Sequence, residues 1–257
     1  MTGVTVQKVP ACDRTPSNLI YTLLAAQVIT LLYNIVDRIY IGRIGDVGTI
    51  ALGGMGICFP VITIITGITN MFGMGGSPLF SMELGKGKSQ NAEKIMNISA
   101  FMLFWSAIII TIAAEAFAEP LLRLLGASDS NIVFALPYLR IYLTGTIFSM
   151  AAAGLNPYVN AQGFPGIGMF TVMVGAVLNI ALDPLFIFAF DMGVSGAALA
   201  TVISQSASAV FVVVFLAGKK PDQRLKLISF REFAQNRKLA GNICSLGLTL
   251  FIMQSTN

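Results

Sequence analysis

The 257-residue chain is 55% hydrophobic and only 11% charged, against roughly 25% charged in an ordinary soluble domain, and that imbalance excludes such a domain. It contains no histidine, which removes a Ser-His-Asp triad, a His-ligated zinc site and a histidine base. Three scattered cysteines, Cys12, Cys58 and Cys244, fit neither a disulfide framework nor a metal ribbon and read as free thiols. The net charge of +4 comes from basic residues set between apolar runs rather than along one polar face, so a membrane explains them better than nucleic acid.

In chain order, residues 1–18 form a polar segment with Pro10, Arg14 and Pro16 and without the apolar core of a signal peptide. A membrane-spanning helix needs about 20 predominantly apolar residues, and six such runs follow. They cover Leu19 to Ile41, Thr49 to about Gly76, Ile95 to Phe117, Ile132 to Tyr158, Gly166 to Phe190 and Val194 to Leu216. The expected fold class is therefore all-α, a polytopic membrane helix bundle of six spans. Residues 219–240 are basic, mixed with Leu225, Leu227, Ile228, Phe230 and Phe233. They read either as a helix on an anionic membrane surface or as a solvated linker with apolar anchors. Residues 241–257 read as the truncated start of a seventh helix.

Lysine and arginine mark cytoplasmic loops. With the N-terminus inside, the inner segments hold Lys8 and Arg14, then Lys86, Lys88 and Lys94, then the basic run from Lys219 to Lys238. The outer segments hold only Arg38, Arg43 and Arg123, and Arg140 lies within the fourth span. The expected placement is a multi-pass protein of the inner cell membrane with a cytoplasmic N-terminus.

A carboxylate inside the membrane is costly and needs a reason. Asp37 in the first span and Asp183 in the fifth qualify, whereas Glu115 and Glu119 lie at a span end where water is near. At 1.5 Å per residue, Asp37, Asp183, Tyr138 and Thr201 all fall on one level, on the order of 10 Å beneath the outer surface. Asn179, one helical turn before Asp183, has an amide that can bond its carboxyl. Pro184 offers no N–H to the Ile180 carbonyl, which frees an acceptor beside the acid. Such a group reads as a proton or cation site, since two carboxylates in a low-dielectric cavity repel and share a proton that a cation can displace. The plainer reading is Asp37 snorkelling to the interface beside Arg38 or Arg43.

Other features read as structure. Gly196, Ala200, Ser204 and Ser208 form a small-residue packing ridge, and the twelve methionines and eighteen phenylalanines read as lipid-facing or core ahead of the lining of an adaptable drug-binding cavity. Gly85-Lys86-Gly87-Lys88-Ser89 contains GKS but has Met82 where a phosphate-binding loop needs glycine. Asn97-Ile98-Ser99 is a glycosylation triplet that faces inward or lies in the membrane on this topology.

Leu32-Tyr33-Asn34-Ile35-Val36-Asp37-Arg38-Ile39-Tyr40-Ile41-Gly42-Arg43 resembles the first-helix signature of the multidrug and toxic compound extrusion (MATE) family. Leu178 to Phe188, including Asn179-Ile180-Ala181-Leu182-Asp183-Pro184, resembles its fifth helix. Gly193 to Thr201 is similar to the start of its sixth, and Tyr138-Leu139-Arg140-Ile141 to part of its fourth. The resemblance covers about Ala26 to Leu216 and implies the N-lobe of a twelve-span antiporter that exports organic cations or drugs in exchange for protons or sodium. It implies a coupling site at Asp37, Asn179, Asp183 and Thr201, where sodium could also bind, with Tyr138 nearby. It implies no cofactor besides the coupling ion and no enzymatic activity. The partners it implies are the bilayer, a small organic cation, and a missing C-lobe or second copy. The chain departs from the family in having no proline between Leu19 and Asp37, so no proline bend is expected in the first helix. The rival readings are a truncated, non-transporting membrane protein, a lipid-linked oligosaccharide flippase of the same superfamily, and an intramembrane aspartyl protease, whose motifs are missing around both acids.

Overall fold

A computed structural model describes residues 16–45 and 48–255. Lys8, Cys12, Arg14 and the rest of the N-terminal segment up to residue 15 lie outside them. The described chain is helical throughout its main elements: α1 (Pro16–Gly42), α2 (Gly48–Gly85), α3 (Ser89–Ala116), α4 (Ala118–Leu124), α5 (Asp129–Thr144), α6 (Thr146–Ala161), α7 (Pro165–Pro184), α8 (Gly193–Ala217), α9 (Phe230–Gln235) and α10 (Arg237–Ser255). This is the all-α bundle expected, because in hydrocarbon each backbone polar group must bond within its own helix. Five helices are long and apolar enough to cross a membrane, and α5 with α6 make a sixth as a bent pair.

Three elements depart from the simple runs. The second extends to Gly85, giving a 38-residue helix that at 1.5 Å per residue outreaches the roughly 30 Å hydrocarbon core. Its far end carries the Glu83–Lys86 pair, 2.8 Å, into the polar loop before α3. The fourth run is broken by 57° between Thr144 and Thr146. The break falls on Gly145, whose N–H turns back to the Tyr142 carbonyl, and a Cβ there would stand 2.5 Å from a Val202 methyl of α8. The fifth run ends its α ladder at Pro184 and continues as a single π turn over Leu185–Ala189, closed by Phe190 N–H to the Leu185 carbonyl, 2.9 Å. Helix α1 runs unbroken over its 27 residues.

Packing is set by small residues. Helix α2 lies against α3, α5, α6 and α10, while α7 packs between α1 and α8. At the α2–α6 crossing a Cβ on Gly73 would meet the Gly154 carbonyl at 2.6 Å, and at α2–α10 a Cβ on Gly75 would meet the Gly247 Cα at 2.7 Å. Backbones this close gain dispersion contact that bulkier residues would forbid. The ridge on α8 is buried as expected at Gly196, Ala200, Ser204 and Ser208. Gly196 abuts the π turn at Phe186, and the Ser208 hydroxyl donates to the Thr171 carbonyl at 3.1 Å.

The core also contains polar anchors. The Tyr158 hydroxyl donates to Ser99 Oγ at 2.6 Å and its ring meets Phe80 edge-on. The glycosylation triplet is interior: Asn97 and Ser99 are both buried, and Asn97 Oδ1 accepts the Lys226 N–H at 2.9 Å. Cys58 is buried and free, Cys244 half-buried and free. Between α8 and α10 the basic stretch is helical only over α9. It folds back on the bundle through Leu225 N–H to the Leu216 carbonyl, Gln223 N–H to Gln162 Oε1 and the Lys226–Glu93 ion pair, 2.5 Å. The seventh helix starts at Arg237, ahead of the Gly241 where the apolar pattern begins.

Candidate functional site

The polar centre of the bundle is built from four helices, each contributing one face. On α1, Thr30, Tyr33 and Asp37 follow at i, i+3 and i+7, and on α7 Gly175, Asn179 and Asp183 follow at i, i+4 and i+8, so each set shares a side. Helix α8 adds Thr201, Ser204 and Ser208, and α5 adds Tyr138. Asp37 is 7% exposed and Asp183 fully buried, with Asn179 and Tyr138 also buried.

Asn179 is the hub. Its Nδ2 donates to Asp183 Oδ1 at 3.3 Å and to Thr201 Oγ1 at 3.4 Å, and the Thr201 hydroxyl in turn donates to the Ala197 carbonyl at 3.0 Å. These hydrogen bonds join three of the five residues singled out in the sequence, Asn179 and Asp183 on α7 and Thr201 on α8. Asp37 makes no ion pair within 4 Å among the described residues. The Arg38 guanidinium lies over the Phe59 ring, 4.6 Å from its centroid.

Asp37 Oδ1, Asp183 Oδ2 and Asn179 Oδ1 are all buried and accept no hydrogen bond among the described residues. A buried acceptor left alone costs about 1–3 kcal/mol, more if charged. An unpartnered carboxylate or amide oxygen of this kind can take up a proton or a hard cation that prefers oxygen ligands.

Beside this centre lies a cavity of about 170 Å³ between α1, α6, α7 and α8. Asn179 and Thr201 form part of its wall, with Tyr33, Asn156, Ser204 and Gln205. Asn156 Oδ1 and Ser204 Oγ are further buried oxygens without partners among the described residues. Sequence reasoning missed Asn156 and assigned Ser204 to packing alone. A serine in a small-residue ridge looks the same whether it faces a helix or a void, and only Ser204's register with Asn179 hinted otherwise. Arg140, within the fourth run, is more than half exposed and stands 3.8 Å from Glu115, away from this centre. Arg123 similarly bridges Glu119 and Asp129 at the bundle's edge.

Fold and site together define a polytopic helical membrane protein with a polar, carboxylate-bearing centre. The profile of the MatE family matches residues 23–185, more than half of the chain, and the protein belongs to that family. It is 26% identical over 231 residues to the multidrug export protein MepA of Staphylococcus aureus (strain MRSA252), covering 90% of this chain and 50% of that protein. It is 28% identical over 234 residues to MepA of Staphylococcus saprophyticus, with the same coverage. The chain spans about half the length of the curated relatives it matches. Among solved structures it aligns with an outward-facing multidrug resistance MATE family transporter of the MOP superfamily at TM-score 0.83 and 26% identity, over 98% of this chain and 56% of that one. It aligns with an inward-facing one at TM-score 0.79 and 27% identity, over 92% and 54%. The described bundle is a lobe of the MATE fold, corresponding to the family's N-terminal half.

Proposed function

We propose that this chain forms the N-terminal lobe of a cation-coupled antiporter that exports organic cations or drugs, with protons or sodium entering at Asp37, Asn179, Asp183 and Thr201 beside Tyr138. The observation that carries the reading is the pair of buried carboxylates, on α1 and α7, each with an oxygen lacking a partner among the described residues, together with the bonds from Asn179 to Asp183 and Thr201. Multidrug export in the MepA relatives supports the choice of cargo. The alignment of this lobe with both outward- and inward-facing structures supports a lobe that moves as a unit.

In this mechanism a proton or cation reaching the acid pair from outside offsets the repulsion between the two carboxylates and engages the free oxygens of Asp183 and Asn179. The altered hydrogen bonding around Asn179 and Thr201 biases α1, α7 and α8 toward the state that releases cargo, and ion loss to the inside resets it. The uncharged polar wall of the neighbouring cavity would hold an organic cation through dipoles while leaving the net negative charge on the acids for the coupling ion. The membrane placement that goes with this reading is the inner cell membrane, with the N-terminus cytoplasmic.

The test is substrate efflux from cells expressing the protein. Asp183→Asn keeps the shape and removes the titratable charge, so ion-driven efflux should fall to the background level while the protein stays in the membrane. Undiminished efflux overturns the assignment.

A further inference from the structure

A second cavity, of about 540 Å³, opens on the flank of the bundle away from the acids, and it is almost wholly apolar. Its floor is α3, α6 and α8, at Leu103, Ala151 and Val213, and its rim is the linker from Leu225 to Phe230. The linker is held there firmly: Lys226 is bonded through its N–H to Asn97 and through its ammonium to Glu93. The rings of Phe230 and Phe233 sit 5.0 and 4.8 Å from that of Phe101, and Phe230 lies 4.8 Å from Trp105. The cavity is thus a built feature between a folded-back strap and three helices.

Its volume falls in the range, roughly 300–1,000 Å³, of small-molecule sites. It opens sideways: Leu227 is fully exposed and Phe230 61% exposed, an arrangement that only hydrocarbon makes favourable. The residues that flank the rim in the chain are cationic: Arg224 immediately precedes it and Arg231 immediately follows it, both exposed, within a stretch whose other basic residues are Lys219, Lys220, Lys226, Arg237 and Lys238, against Asp222 and Glu232. An apolar slot that opens to lipid tails beneath a basic strap has the complementarity of an anionic amphiphile, since basic residues near a membrane surface are drawn to anionic headgroups.

We propose that this flank pocket binds one acyl chain of an anionic phospholipid, whose phosphate is held by Arg224 and Arg231 at the linker rim. The lipid then fastens the strap between α8 and α10 to the bundle. The site is separate from the Asp37/Asp183 centre and stands whether or not that centre couples transport.

Trp105 lines the pocket and is the single tryptophan of the chain, so its fluorescence reports occupancy directly. The protein is reconstituted in dioleoylphosphatidylcholine vesicles containing rising fractions of brominated phosphatidylglycerol or brominated phosphatidylcholine. Half-maximal quenching is expected at a mole fraction at least threefold lower for the glycerol lipid. Arg224→Gln with Arg231→Gln, and separately Ala151→Phe, which fills the floor, should each bring the two lipids to the same curve. Lys86→Gln with Lys88→Gln, which removes charge at a different loop, should leave the threefold difference in place. Circular dichroism of each variant in bromine-free vesicles establishes that it is folded. Equal quenching of the original chain by both lipids overturns the proposal. So does a difference that survives the rim or floor substitutions, or one lost equally in the Lys86/Lys88 variant.

Discussion

Asn179 does the most at the scale of single residues, because one amide N–H₂ serves both Asp183 and Thr201 while its oxygen has no partner among the described residues. Asn179→Ala removes both donors and one ion ligand. A hydrogen bond to a charged group is worth about 1.5–3 kcal/mol, so ion-coupled efflux should fall by roughly tenfold or more, with half-saturation moving to higher proton or sodium concentration. An efflux titration against each ion reads this, and an unchanged titration removes Asn179 from the site. Tyr158 is the structural counterpart. Tyr158→Phe deletes the bond to Ser99 and leaves a buried hydroxyl unpaired, which should lower stability by about 1–3 kcal/mol in detergent unfolding while export by the folded fraction is retained. Cys58 is a further case of local satisfaction, its thiol 3.5 Å from the Gly54 and Ala135 carbonyls.

Between elements, glycines decide how near the helices come. A methyl on Gly73 has backbone, not a flexible side chain, in its path at Gly154, so α2 and α6 must separate to admit it. Gly73→Ala should therefore cost about 3 kcal/mol, at the upper end of overpacking penalties, measured as a drop in thermal unfolding midpoint. A neutral result would mean that the two helices shift without loss. The π turn after Pro184 has the opposite character. It adds a residue to the helix directly after Asp183, and turns of this kind are frequent at functional sites. Gly196 of α8, buried against Phe186, leaves room for that wider turn.

For the whole molecule, the charged ends of the bundle define two sides. One carries Glu83–Lys86 and Glu93–Lys226, the other Arg123 with Glu119 and Asp129. With the first side cytoplasmic, a cysteine placed at Ser128 in a variant freed of Cys12, Cys58 and Cys244 should react with a membrane-impermeant maleimide in intact cells. A cysteine at Gly87 should react only after permeabilisation. The reverse pattern would invert the topology and put the acid centre nearer the inside.

Much of this architecture was legible from composition alone, for a physical reason: the bilayer demands long apolar runs and self-satisfied backbone, so span number and helix class follow from hydropathy. The expense of an intramembrane charge made Asp37 and Asp183 conspicuous, and a constant rise per residue put Tyr138 and Thr201 at their level. What only the tertiary structure decided were relations between helices that one-dimensional periodicity does not carry. Hydropathy cannot say that Asn179 faces Thr201, that Ser204 and Asn156 border a void, or that Arg38 stacks on Phe59 instead of pairing with Asp37. The bend at Gly145 depends on Val202, nearly sixty residues away. The linker's hold on Asn97 and Glu93 likewise depends on hydrogen bonds and charges that meet only after the chain has closed on itself.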